Sequence, residues 1–298
     1  MKKISTYLPS FIISVFLVFL IIASSAILLV DINVSASKIK KLAEKNALES
    51  KIYTEIEKYY TDKYNTTGIP AEVYMEAIND QYIKTFVEAY IDSAFEALNS
   101  NGLMNEVHPI NTKLEENIDS FFNEFADKNN YQKDEKFDLK LKNTKDSAYI
   151  TIGSFCDVYK FSTMSSKGVL SKLARIYSNR TYATALLLGS TLFMLILLVL
   201  INRKKKITAV YWIGISAIIS GIIGMIPSIY LIASRYYDSF SIKQPAVFTA
   251  FTSAMYKYTE AFMAIQIALL VFGLAMVVIY GIIGEKKKYP NTKPTQID

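Results

Sequence analysis

The chain has 298 residues, 51% of them hydrophobic and 20% charged, with a net charge of +6 and a positive mean hydropathy. A soluble protein with that much charge does not average out apolar unless the two classes are segregated, and here four long runs contain no Asp, Glu, Lys, Arg or His. The basic excess is segregated too, which removes the main support for nucleic-acid binding: residues 32–181 hold 20 basic against 22 acidic residues, whereas the flanks "MKK", "NRKKK" and "EKKKYPNTKPTQID" hold 10 against 2.

The first run, Leu8–Val30, exceeds the roughly 20 residues a helix needs to cross the hydrocarbon core. Residues 1–31 therefore read as a cytoplasmic start, with Lys2 and Lys3, and transmembrane helix 1. "VSA" before Ser37 suggests a signal-peptide cleavage site, but the apolar run is 23 residues long. A signal core is usually about 7–15, so an uncleaved anchor is the better reading, and the next segment faces outward either way.

Residues 32–181 read as one α-helical extracytoplasmic domain. Ile39, Leu42, Leu48, Ile52, Ile56 and Tyr59 keep helical spacing and leave open one long rod with helix 1. "NTTGIP" breaks the pattern, with Gly68 permitting a turn and Pro70 suited to the first position of a new helix. Ile83, Phe86, Val87, Tyr90, Ala94, Phe95 and Leu98 mark another helix, ended by "NSNG". Thr112 and Glu115 fit a capping box ahead of Leu114, Ile118, Phe121, Phe122 and Phe125. A charged stretch leads to Ile150–Phe161, and Val169–Tyr177 is a last amphipathic piece. Most aromatics sit at core positions, while Tyr60, Tyr64 and Tyr74, beside the break, are expected to be exposed.

Transmembrane helix 2 spans 182–201, a basic loop 202–206, helix 3 207–234, an outer, partly amphipathic loop 235–260, helix 4 261–284 and a basic tail 285–298. Arg203, Lys204, Lys205 and Lys206, with Lys286, Lys287 and Lys288, place both short segments inside, because basic residues in short loops mark the cytoplasmic side. Both termini are then cytoplasmic. In helix 3, Ser216, Ser220, Gly224 and Ser228 recur at every fourth position, on one face. Small residues let helices approach closely in lipid, so this stripe reads as a packing seam, with Ala185 and Gly189 of helix 2 and Ala264 and Ala268 of helix 4 as partners. Pro227 should kink helix 3 by removing a backbone hydrogen bond. Gln266, the deepest strongly polar group, is suited to bonding a Ser or Thr of a neighbouring helix.

Chemistry-bearing residues are few. One His, His108, and one Cys, Cys156, cannot make a zinc site of Cys and His ligands or an intramolecular disulfide. There is no P-loop, dinucleotide fingerprint, HExxH or GxSxG, so no catalytic, metal or cofactor residue is assigned. The Lys-, Ile-, Tyr- and Asn-rich composition suggests a bacterial source. Taken together, the stretches "TGIPAEVYMEAI", "FFNEFADKNNYQKDEKFD" and "IPSIYL" resemble bacterial membrane proteins without assigned function that share a first helix, a helical outer domain and three closing helices; the resemblance implies that fold and no activity. The expectation is an all-α, non-enzymatic, multi-pass plasma-membrane protein whose outer domain binds, senses or scaffolds a partner. Its partners would be the lipid bilayer, anionic headgroups at the cytoplasmic face, and a membrane protein or further copies of itself. The alternatives are an oligomeric channel or transporter lined by Ser216, Ser220 and Ser228, and an envelope enzyme.

Overall fold

The computed structural model describes residues 6–288, with side chains to Ile283. The described residues are helical, without strands: α1 (Tyr7–Asn33), α2 (Ala36–Lys45), α3 (Leu48–Thr67), α4 (Glu72–Met75), α5 (Asp80–Asn99), α6 (Thr112–Lys128), α7 (Glu135–Cys156), α8 (Phe161–Ser166), α9 (Val169–Ser178), α10 (Arg180–Ile201), α11 (Lys206–Ala233) and α12 (Pro245–Lys288). Short 3-10 turns fill Arg203–Lys205 and Tyr236–Ser239. Four helices, α1, α10, α11 and α12, are long and apolar enough to cross a membrane.

The chain divides into two compact units. A polar unit comprises Ser35–Ser178 and Phe240–Ala254, and an apolar unit the remainder. Within the stretch 235–260, a 3-10 turn at Tyr236–Ser239 and an irregular 240–244 precede α12. Pro245 starts a helix whose Ala246, Val247 and Ala250 are buried, while the Ala246 amide donates to Glu55 Oε1 at 2.7 Å and Lys51 Nζ to Thr249 Oγ1 at 2.8 Å.

Within the polar unit, α5 is the central element. Asn79 caps it by accepting from the Tyr82 amide, and Ile83, Phe86, Val87, Ile91 and Ala94 line its buried face. After α5 the chain turns at Gly102, where φ is +79° and an added Cβ would overlap the Ser171 backbone, so only glycine fits. The rod left open by the sequence is interrupted twice: Ser35 caps α2 in extended backbone, and Ala47 takes a left-handed conformation, φ +47°, before α3. Glycine again ends α3, at Gly68, φ +70°. Pro70 precedes Ala71, the N-cap of α4, and so is not the first residue of that helix.

The expected capping box of Thr112 and Glu115 does not form. Asn111, not Thr112, caps α6 by accepting from the Leu114 amide at 3.1 Å, and its amide nitrogen donates to Ala77 O at 2.8 Å. Glu115 accepts instead from the Tyr149 hydroxyl at 3.0 Å. Asn111 satisfies two backbone groups from one position, which the shorter Thr hydroxyl could not. The charged stretch before Ile150 is helical too: Asp134 caps α7, which runs unbroken to Cys156.

In the apolar unit, α1 packs on α10 and α11 around Leu17, Leu198 and Trp212. Tyr7 and Phe11 approach Trp212 edge-on at 5.3 and 6.3 Å. Phe16, Phe19, Leu192, Phe193 and Val271 point outward.

Candidate functional site

The small-residue stripe of α11 is buried along its whole length, and its partners differ from those expected. Ala185 and Gly189 of α10, and Ala264 and Ala268 of α12, are exposed, and Gly189 has nothing within 4 Å of an added Cβ. On α12 the face toward α11 carries Gln266, Leu270 and Gly273. A carbon added to Gly214 would lie 2.9 Å from Gly273 O, and one added to Gly221 would lie 2.8 Å from Gln266 O, so backbones touch at both places. Gly224 meets the Gln266 side chain itself.

The other partner is α1, whose serines the sequence reading passed over. Ser14 and Ser216 hydroxyls are 2.6 Å apart, and Ser220 Oγ donates to Val18 O at 3.3 Å and to Ser216 O at 2.7 Å. Ser10 accepts from Asn202 Nδ2 at 2.9 Å, Ser24 lies 3.0 Å from Thr191 Oγ1, and Ser25 accepts from Gln266 Nε2 at 2.9 Å. Helix α1 therefore holds a hydrogen bond to each of α10, α11 and α12. The available signal was four serines inside an otherwise greasy run. Pro227 sits inside α11 on its exposed side. Arg203, Lys204, Lys205 and Lys206 are exposed at the α10–α11 connection. Lys2 and Lys3 lie outside the described residues, as do the side chains of Lys286, Lys287 and Lys288.

The polar unit holds a cleft of about 470 Å³ between α3 and α7. Its floor is aromatic. Tyr60 and Tyr74 stack with centroids 3.9 Å apart, and Tyr59 stands edge-on to Tyr60 at 5.4 Å. Both stacked residues are 6% exposed, contrary to expectation, whereas Tyr64 is 51% exposed. The stack explains the difference: it joins the end of α3 to α4 across the Gly68 turn, hiding both rings. Burial pushes the Tyr60 phenol far above its ordinary range, with Tyr74, Tyr59 and Tyr82 adding smaller contributions, and burial pushes Tyr74 up to about 12. Both stay protonated. The Tyr60 hydroxyl is fully enclosed and has no hydrogen-bond partner among the described residues.

The cleft's rim is cationic. Lys63, Lys136 and Lys140 line it with no carboxylate among the lining residues, and none of the three is in an ion pair among the described residues. Lys63 Nζ is held 5.7 Å above the Tyr59 ring centre, a cation–π distance. Like charges gathered on both sides focus the field into the cleft and draw anions toward it.

A second, shallower depression of about 510 Å³ contains His108. There His108 Nε2 lies 2.8 Å from Glu106 Oε1. Cys156 is 1% exposed and its thiol is pushed well above the usual range by burial, then by Asp157; it is held as the thiol. No group of three or more His, Cys, Asp or Glu residues among the described residues is placed to hold a metal ion. Comparison of the chain with protein-family models, with curated proteins and with solved structures found no match in any of the three.

Proposed function

We propose that this is a multi-pass plasma-membrane protein in which α1, α10, α11 and α12 cross the bilayer and the polar unit, on the outer side, binds a ligand or partner. The cleft between α3 and α7 carries this reading, because it brings together lysines that form no ion pair among the described residues and the aromatic surface of Tyr59. The membrane assignment rests on the outward-facing Phe, Leu, Ile and Val residues of the apolar unit. Aromatic residues support it at both ends: Tyr211, Trp212 and Tyr280 at one, Tyr230 and Tyr236 at the other, with Trp212 and Tyr230 separated by about 27 Å of helix, close to the hydrocarbon thickness. Tyr211 and Tyr280 pair at 5.0 Å, and Tyr236 and Tyr237 at 5.8 Å. The basic connection at 203–206 sets the inner side.

Ser216, Ser220 and Ser228 are buried and bonded within one chain, so a pore lined by them gains no support. The expected role is binding or sensing without catalysis, passed on through a membrane protein or further copies of the chain. Purification in mild detergent from the native membrane, with and without residues 35–178, tests this reading. A companion lost from the shortened protein, which itself stays in the membrane fraction, is the expected result; a companion retained without the polar unit overturns it.

A further inference from the structure

The α3–α7 cleft has more chemistry than a generic basic patch, and its parts select a ligand class. Three unpaired lysines demand negative charge on the ligand. Ammonium groups act as point charges with rotatable donors, so they serve a carboxylate or a phosphate alike. Besides Ile69, Leu139 and Ala148, the lining carries a polar row: Asn143, Ser147 and Thr151 of α7 and Thr66 of α3, and none of their side chains is in a hydrogen bond among the described residues. A fatty acid would leave that row unused. Inorganic phosphate has no C–H surface and would leave the aromatic floor unused. The volume, about 470 Å³, falls in the range of small-molecule sites, roughly 300–1,000 Å³.

A ligand that uses every part has a negative group for the lysines, several hydroxyls for the amide and hydroxyl row, and a C–H-bearing ring face for Tyr59. The electron-rich face of an aromatic ring attracts partial positive charge, which the axial hydrogens of a sugar ring supply. We infer that the α3–α7 cleft is a binding site for an acidic sugar, a uronate or sugar phosphate, taken either free or as a unit of an anionic glycan. This rests on the reading of the polar unit as the binding part of the protein.

The test is titration calorimetry on the full chain in detergent micelles, with glucuronate, glucose 6-phosphate, glucose, inorganic phosphate, polygalacturonate and poly-glutamate as probes. The expected result is saturable binding of the acidic sugars at least tenfold tighter than glucose or inorganic phosphate. Lys63→Gln with Lys140→Gln should weaken it at least tenfold, while Lys142→Gln, on the same helix but outside the cleft, should leave it unchanged. Tyr59→Leu should lower affinity for the acidic sugars severalfold without altering phosphate binding, an effect a bare electrostatic patch would not give. Binding of the free sugars identifies a monomer site, and binding of polygalacturonate alone identifies a glycan site; both uphold the inference. No binding by any acidic sugar, equal binding of poly-glutamate, or indifference to the paired lysine substitutions overturns it. If binding fails while deletion of residues 35–178 still removes a companion, the ligand class is wrong and the binding role of the unit stands.

Discussion

The two units of this chain are built in opposite senses. The polar unit buries Ile52, Ile56, Phe86, Ile91, Leu114 and Ile152 and exposes its Lys and Glu residues. The apolar unit instead buries Ser10, Ser14, Ser24, Ser25, Asn202, Ser216, Ser220 and Gln266 and exposes Phe16, Phe19, Leu192 and Phe193. In water the hydrophobic effect drives apolar surface inward, at about 25 cal/mol per Å². In hydrocarbon that drive vanishes, and what remains to hold helices together is close packing and hydrogen bonds between small polar residues. Hydropathy alone identifies apolar helices; the inward serines and outward phenylalanines say which solvent suits them.

The contrast can be broken by substitution. The largest effect belongs to the polar unit: Phe86, fully buried, changed to Ala should cost about 3–5 kcal/mol, read as a lowered midpoint when the polar unit unfolds in denaturant with the protein in micelles. A loss under 1 kcal/mol would mean that this core is not what holds the unit. Next comes the apolar unit's backbone contact: Gly214→Leu places atoms against Gly273 O and should cost about 1–3 kcal/mol, seen as a lower melting temperature in detergent with a red shift of Trp212 fluorescence. Unchanged melting would refute the close approach. The smallest effect is that of Ser216→Ala, which removes the bond to Ser14. Bonds of this kind inside a membrane average about 0.6 kcal/mol, so a loss of several kcal/mol would indicate that the polar seam, not packing, dominates assembly.

The helices were legible in the sequence because their apolar residues recur with a period that depends only on local geometry. The α5 face around Phe86 follows directly from that periodicity, and Gly68 from the break in it, where only glycine takes a left-handed turn freely. Partner choice was not legible. Ala185, Gly189, Ala264 and Ala268 are small residues at helical spacing, like Ser216 and Ser220, but nothing local says which face of α10 or α12 meets α11; α1 took the place expected for α10. Tyr60 and Tyr74 were misjudged for a similar reason, since their mutual stacking depends on the turn between them closing. The cleft was hidden further. Lys63 lies on α3 and Lys136 and Lys140 on α7, about 75 residues apart in sequence, and a helix period carries no information about which distant helices become neighbours.

The places where backbone meets backbone constrain what this sequence can become. Outward positions such as Leu192 or Phe193 can drift among apolar residues without altering any contact within the chain, and the exposed lysines of α7 outside the cleft can drift among polar ones. Gly102, Gly214, Gly221 and Gly273 cannot, because any side chain there would enter space held by Ser171, Gly273, Gln266 and Gly214 backbone respectively. A distant descendant could therefore differ at most other positions and still be known by four glycines, one in the polar unit and three in the apolar one. Ancestry in this protein is written where there are no side chains.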